Sequence, residues 1–157
     1  MAEIHDMPGH LIRRLQQIAV AVFHQEVAGL GHDLTPVQFA ALSTVEANEG
    51  IDQATLAGLI AYDRATITGV VDRLVHKGLV DRQVSGRDRR ARELSITQAG
   101  KKTLAEITPA VLNAQRLMLQ GLTREETGEL MRLLRKATDS ANEMSRAPLR
   151  IGLGERS

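Results

Sequence analysis

The chain has 157 residues, 43% of them hydrophobic, and a net charge of +1, which suits one domain or one small domain with appended helices. It contains no cysteine, which excludes disulfides, thiolate zinc sites and thiol redox sensing within the chain. No apolar run approaches the ~18 to 20 residues that span a bilayer, and the first ten residues lack the features of a signal peptide, so we expect a cytoplasmic protein without membrane contact.

The positive charge is concentrated in the middle of the chain. Residues 63–102 contain ten Lys or Arg against five Asp or Glu, whereas the remainder contains ten against fourteen. A single-sign patch in an otherwise acidic protein favours a polyanionic partner. We therefore expect the binding surface for such a partner to lie in this middle segment.

The first part of the chain predicts two helices. Apolar residues recur at steps of three and four through residues 8–30, which indicates an amphipathic helix. The next helix begins within "TPVQ" at residues 35–38. Thr35 is placed as its N-cap, Pro36 occupies its first position and Gln38 completes a capping box. The start of the second helix is therefore predicted from local residue chemistry alone.

Residues 52–78 carry signals for two shorter helices. Asp52 can cap the first, and after a turn of about three residues Asp63 can cap the second. Gly78 suits the C-terminal end of the second helix, because a positive φ there costs little only for glycine. Two helices joined by a short turn make a candidate helix-turn-helix.

A β-hairpin is predicted immediately afterwards. The stretches "LVDRQV" and "RARELSI" alternate well enough to be strands, and "SGRDR" joins them. Residues 87–92 at and beyond this tip hold five charged side chains in six positions. Two interpretations stay open for this run of charge: a solvated hairpin tip, or a basic prong that meets phosphate.

The last part of the chain predicts two further helices. Thr97 can cap a long helix, and Gly121 and Thr123 mark a break before the final one. Residues 146–157 have no periodicity, so we expect a tail that is loose or packs late. The first and last helices carry apolar stripes that a compact central domain cannot cover, which predicts a homodimer formed by the terminal helices.

The order of elements and two of the motifs resemble the MarR family of transcriptional regulators over roughly residues 8–145. "DRRARELSITQAG" is similar to the wing signature of that family, and "LAGLIAYDRATITGVVDRLVHKGLVDR" is similar to its motif helices. The resemblance implies a mainly α fold with a small β-hairpin wing, that is, an α+β winged helix-turn-helix. Residues 35–96 would bind DNA, and residues 1–34 and 97–145 would form dimerisation helices. The implied function is a repressor that binds a pseudo-palindromic operator, with no catalytic activity.

The helix predicted after Asp63 leaves seven residues outside its inward apolar stripe. Six are small, basic or hydrogen-bonding groups that suit the floor of a major groove, namely Arg64, Ala65, Thr66, Thr68, Gly69 and Arg73. Glycine lowers helix propensity by ~1 kcal/mol relative to alanine, and close approach to DNA is one reason to have it here. The seventh, Asp72, repels phosphate, so we expect it to orient Arg73 or an arginine of the wing. Plain solvent exposure or ion pairing of Arg64 and Arg73 is the alternative.

The wing contributes the second set of predicted DNA-binding residues, namely Arg87, Asp88, Arg89, Arg90 and Arg92. The first and third of these arginines lie near the tip, where one could enter a narrow A·T-rich minor groove. The family resemblance implies that Asp88 and Arg90 pair across the wing and hold its shape. Arg92, like Arg82 on the preceding strand, is either a phosphate contact or part of a solvated strand face.

The last predictions concern an effector site and the presence of metals or cofactors. The family resemblance implies an effector, a small aromatic carboxylate or phenolic ligand, and a polar stripe on the first helix is the candidate site: His10, Arg14, Gln17 and His24. A solvated helix face is the other interpretation of that stripe. The five histidines form no close pair of the kind zinc needs, and no nucleotide-binding or catalytic motif is present, so we expect no metal, cofactor or enzymatic activity. A constitutive DNA binder and a winged helix that contacts protein or RNA are the alternatives to a ligand-responsive repressor.

Overall fold

The computed structural model describes residues 3–152, and helices make up most of this range. The helices are α1 (Pro8–Ala28), α2 (Pro36–Ala47), α3 (Gln53–Leu59), α4 (Ile67–His76), α5 (Gln98–Met118) and α6 (Arg124–Ser140). The strands are β1 (Ile51–Asp52), β2 (Val80–Val84) and β3 (Arg92–Ile96). Short 3-10 turns lie at Ile4–Asp6 and Asn142–Met144. This is the predicted helix-turn-helix followed by a β wing, between terminal helices.

The helix starts follow the predicted caps. Thr35 and Gln38 form the capping box of α2, with both hydrogen bonds at 3.2 Å. The Asp52 carboxylate accepts the N–H of Thr55 at 2.8 Å, and Thr97 accepts the N–H of Gly100 at 2.9 Å. These side chains satisfy N–H groups that have no partner within the helix, so a few local residues determine where each helix begins.

The sheet has three strands rather than the predicted two. β3 lies in the middle, in the order β1-β3-β2, and both pairings are antiparallel. In the additional pairing Ile51 faces Leu94 and Asp52 faces Glu93. A strand of two residues is too short to show an alternating pattern, so no periodicity in the sequence indicates it. β1 ties the start of α3 directly to the wing.

The core lies between the helix-turn-helix, the sheet and α5. Its fully buried side chains come from most of the helices and strands, and include Leu42, Val45, Leu56, Val71, Leu74 and Leu94. On the other side α1 packs along α5, and Phe23 and Ile107 belong to the same cluster. Because one apolar cluster joins both parts, the helix-turn-helix lobe and the long helices share a core.

One junction fixes α4, the wing and α5 relative to one another. Gly78 has φ of +71° and ends α4, and the N–H of Leu79 donates to the carbonyl of Leu74 at 3.0 Å, as in a Schellman motif. The Thr97 hydroxyl donates to the Gly78 carbonyl at 2.7 Å. A Cβ on Gly100 would lie 2.2 Å from the Leu79 carbonyl oxygen, so α5 packs directly on this turn.

Of the two expectations for the C-terminal tail, the packed one describes the part that the structure covers. The N–H of Arg150 donates to the Gly58 carbonyl in α3 at 2.8 Å. The Asn142 side chain bonds both backbone groups of Leu149, at 2.8 and 3.1 Å. Residues 145–150 are therefore held against α3, whereas residues 153–157 lie outside the described range. Backbone hydrogen bonds of this kind leave no periodicity in the sequence.

Candidate nucleic-acid interface

The turn before α4 differs from the prediction. Asp63 does not start the helix directly: its carboxylate accepts the N–H of Ala65 at 2.8 Å, and its carbonyl accepts the N–H groups of Thr66 and Ile67 at 3.1 and 3.0 Å. The helix begins at Ile67, three residues later than predicted. Arg64, Ala65 and Thr66 are exposed residues of a turn and not of a helix. An aspartate that bonds backbone two residues onward stabilises such a turn at the expense of helix.

The predicted division of α4 into two faces is confirmed. The inward residues are buried, namely Ile67, Val70, Val71 and Leu74. The outward residues are exposed, namely Thr68, Gly69, Asp72 and Arg73. No atom lies within 4 Å of the position that a Cβ on Gly69 would occupy. The exposed face of α4 is therefore open to a partner along its first two turns.

A polar network joins α4 to the wing and to α3. The Arg82 guanidinium donates to the Asp72 carboxylate at 2.6 Å and to the Gln53 side-chain oxygen at 3.2 Å. The Gln53 amide in turn donates to the Thr68 hydroxyl at 3.3 Å. Asp72 thus orients an arginine of the wing, as expected. Arg82 is more than a solvated residue, because it holds β2 against α4.

Ser85 organises the wing tip, and the sequence analysis did not single it out. Its side chain is buried, donates to the Glu93 carboxylate at 2.7 Å and accepts the N–H groups of Arg87 and Asp88 at 3.1 and 3.3 Å. Serine often bonds nearby backbone N–H groups in turns, so the "SG" pair was the available signal. Because the hydroxyl bonds the backbone of the tip, it does not engage the charged side chains there, and these side chains are exposed.

The predicted pairing of Asp88 with Arg90 is wrong for the side chains. The Asp88 carboxylate accepts the backbone N–H of Arg90 at 2.9 Å, and the Asp88 carbonyl accepts the N–H of Ala91 at 3.0 Å. Asp88 therefore braces the wing through the main chain. In the part of the chain that the structure describes, the side chains of Arg87, Arg89 and Arg90 form no salt bridge. Arg92 donates to the Arg89 carbonyl at 3.2 Å.

A groove of about 440 Å³ brings part of each set of predicted residues together, whereas six others do not line it, namely Ala65, Thr66, Gly69, Arg73, Arg87 and Arg89. We call it the wing groove; α3, the turn before α4, the first turn of α4 and the wing form its walls. Arg64 and Thr68 line one side, and Asp88, Arg90 and Arg92 line the other. The result is a concave surface lined by three guanidinium groups, the Thr68 hydroxyl and the carboxylates of Asp52 and Asp88. Such a surface can bind phosphate by charge and a base edge by hydrogen bonds.

The four candidate effector residues lie elsewhere, along α1. His10 is half-buried, and Arg14, Gln17 and His24 are exposed. His10 forms a 3.3 Å hydrogen bond with the side chain of Arg13. None of the four lines the wing groove. Within a single chain they share a helix face but do not form an enclosed site.

None of the helices within residues 3–152 is both long enough and apolar enough to cross a membrane. Within the same range no group of three or more His, Asp or Glu side chains is placed to hold a metal ion.

Comparisons with known proteins agree with this geometry. A model of the MarR family matches residues 34–91. The transcriptional repressor NicR of Pseudomonas putida is 31% identical over 88% of this chain and 86% of its own length. The structure of Bordetella bronchiseptica BpsR, whose DNA binding is regulated by 6-hydroxynicotinic acid, is 28% identical with a TM-score of 0.82 over 88% of this chain and 98% of that one. The repressor CouR, bound to a 23-mer DNA duplex, is 29% identical with a TM-score of 0.79 over 88% and 96%.

Proposed function

Because the chain belongs to the MarR family of DNA-binding transcriptional regulators, we propose that it is a repressor that binds a pseudo-palindromic operator as a homodimer. The observation that carries this proposal is the wing groove, which joins Arg64 and Thr68 to Arg90 and Arg92 on one concave face. A recognition helix and a wing so arranged match the two contact modes of a duplex, base edges in the major groove and phosphates beside it.

We assign different roles to the exposed residues of this surface. Thr68, Gly69 and Arg73 project from α4 and are proposed to reach base edges in the major groove, where a bidentate contact is worth ~1 to 3 kcal/mol. The unpaired arginines at the wing tip, Arg87 and Arg89, are proposed to meet the minor groove. Asp88 acts on neither groove, since its carboxylate holds the backbone of the wing.

The homodimer follows from apolar surface that the single chain leaves uncovered. Among the described residues α6 buries none of its side chains. Large apolar residues are exposed along α1, α5 and the α6 region, including Leu11, Ile12, Ile18, Leu112, Leu122, Met131 and Leu133. Exposed apolar area on this scale is usually covered by a partner. We propose that residues 1–34 and 97–145 supply this interface and that residues 35–96 bind DNA.

We further propose that a small aromatic or phenolic acid releases the DNA. BpsR supports this, since 6-hydroxynicotinic acid regulates its binding to DNA. On this chain the polar face of α1 offers Arg14 for a carboxylate, with His10 and His24 one or more turns away on the same helix. A second protomer packed on the apolar stripe of α1 would convert this open face into a site.

The DNA-binding proposal is tested by selection from a pool of random duplexes. We expect enrichment of an inverted repeat whose half-site centres are about 10 base pairs apart, one turn of the helix. Affinity measured by fluorescence anisotropy should fall steeply as salt rises, because phosphate contacts release counterions. Arg90→Ala should weaken binding, while Arg135→Ala, on the far helix α6, should not. A flat salt response without sequence enrichment would instead favour contact with protein.

The effector proposal is tested by thermal shift. A panel of benzoic, hydroxybenzoic and 6-hydroxynicotinic acids should include at least one compound that raises the melting temperature, since ligand at 100 times its Kd adds ~2.7 kcal/mol. Arg14→Ala should remove that rise and leave operator affinity unchanged. If no acid in the panel stabilises the protein, a constitutive DNA binder becomes the better description.

A further inference from the structure

The C-terminal strap, defined as residues 145–150, follows a fixed path beside α3. Arg150 is bonded through its N–H to the Gly58 carbonyl at 2.8 Å, and Leu149 is bonded on both sides by the Asn142 amide. A Cβ on Gly58 would lie 3.0 Å from the Cβ of Arg150, so the strap packs where α3 has no side chain. The strap therefore packs on the helix-turn-helix lobe.

The two arginines of the strap have different surroundings. The Arg150 guanidinium bonds both oxygens of Glu143 at 2.5 and 3.0 Å, and it holds the pKa of that carboxyl below its usual value. The charge of Arg150 is thus paired with that of Glu143, which lies just before the strap. The Arg146 side chain is 94% exposed, and its nearest ion-pair partner is the Asp63 carboxylate at 3.8 Å. A contact this long and this exposed is weak, so another anion can replace it.

Arg146 is positioned beside the proposed DNA-reading surface. A second cavity of about 440 Å³ lies between the strap and the turn before α4, and its lining includes Arg146, Pro148 and the acidic residue Asp63. Ala54 and Arg64 line both this cavity and the wing groove. The two cavities therefore meet at Arg64. The basic side chains of the wing, the turn and the strap follow one continuous surface.

We propose that the strap extends the DNA-binding surface and that Arg146 contacts a backbone phosphate on the other side of Arg64 from the wing. The inference rests on the proposed function, since it requires α4 to enter the duplex groove. Both strands of a duplex flank a helix in the major groove, and the wing lines only one of the two cavities that meet at Arg64. A guanidinium on the other side meets phosphate, which adds affinity without reading sequence.

The test compares the salt dependence of binding for the parent protein, Arg146→Ala, Arg146→Lys and the matched control Arg135→Ala. Arg146→Ala should lower the slope of log K against log salt by about 2, because each phosphate contact contributes ~0.9 and the dimer carries two. Affinity should fall by up to ~5-fold per protomer, equally on the selected operator and on an unrelated duplex. Arg146→Lys should retain the slope, since lysine binds phosphate as a point charge.

The role of strap docking is tested with Asn142→Ala, which removes the two bonds to Leu149 without touching the proposed DNA surface. It should lower affinity as Arg146→Ala does, and the double variant should be no weaker than either alone. Thermal melting and gel filtration confirm that each variant stays folded and dimeric.

The outcomes separate the two proposals. Unchanged affinity and slope in Arg146→Ala would overturn the role of the strap, and additive losses in the double variant would overturn its positioning by Asn142. If the parent protein binds no duplex at any salt concentration, the proposed function itself fails.

Discussion

The variant Gly69→Ala tests two properties of α4 separately, namely its helical stability and how closely it approaches DNA. Gly69 is the third residue of α4, and its backbone lies outside the left-handed region. No atom lies within 4 Å of the added Cβ, so alanine meets no obstacle in the free protein. Alanine is favoured over glycine in a helix by ~0.5 to 1 kcal/mol. At ~2 to 4 °C per kcal/mol for a chain of this size, the melting temperature should rise by roughly 1 to 4 °C.

Operator affinity should change in the opposite direction. If α4 approaches base edges as closely as proposed, a methyl group at position 69 overpacks the interface at a cost of ~1 to 3 kcal/mol, or roughly 5- to 150-fold in Kd. Calorimetry and anisotropy on the same samples give both quantities. Gly128→Ala is the matched control, because its added Cβ also meets no atom within 4 Å and it lies in α6, away from DNA. Affinity equal to that of the parent would refute the close approach, and a lower melting temperature would refute the steric argument.

Two further variants test the framework behind this surface. Gly100→Ala should destabilise the protein by ~1 to 3 kcal/mol or more, because its Cβ would lie 2.2 Å from the Leu79 carbonyl oxygen and 2.7 Å from Ile96; a melting temperature equal to the parent's would contradict this. A double-mutant cycle on Arg82→Met and Asp72→Asn should give a coupling of ~0.5 to 1 kcal/mol in urea unfolding, kept small because the Asp72 side chain is 53% exposed. Arg82→Met should also leave the salt slope of DNA binding nearly unchanged, whereas a phosphate contact at Arg82 would lower it by about 2.

The features that the sequence predicted well are those that a few neighbouring residues decide. Thr35 with Gln38, Asp52 and Thr97 were all placed correctly as caps, since an N-cap acts on N–H groups two or three residues away. The inward stripe of α4 follows from helical periodicity in the same way. The start of α4 was misplaced because Asp63 had two local options, cap or turn, and residue type alone does not distinguish them.

The sequence located the candidate site within the segment that forms the wing groove, and the roles of its residues in DNA binding stay predictions. Arg90 and Arg92 of the wing line one groove with Arg64 of the turn before α4, whereas Arg87 and Arg89 do not line it. The partners of individual side chains were harder to predict, because each depends on which elements pack together. The sequence did not indicate that Arg82 bonds Asp72. The Asp88 carboxylate bonds a backbone amide instead of the expected guanidinium.

The sequence by itself determined the order of the helices, the faces they bury, the place of the hairpin and the segment that carries the positive charge. Each depends on periodicity, capping or composition, which act over a few residues along the chain. Tertiary structure alone decided that Ile51 pairs with Leu94 and that Arg150 is bonded to Gly58. Both contacts join residues that lie 40 or more positions apart in the chain. Such contacts form only after the core has brought their elements together, so no local pattern encodes them.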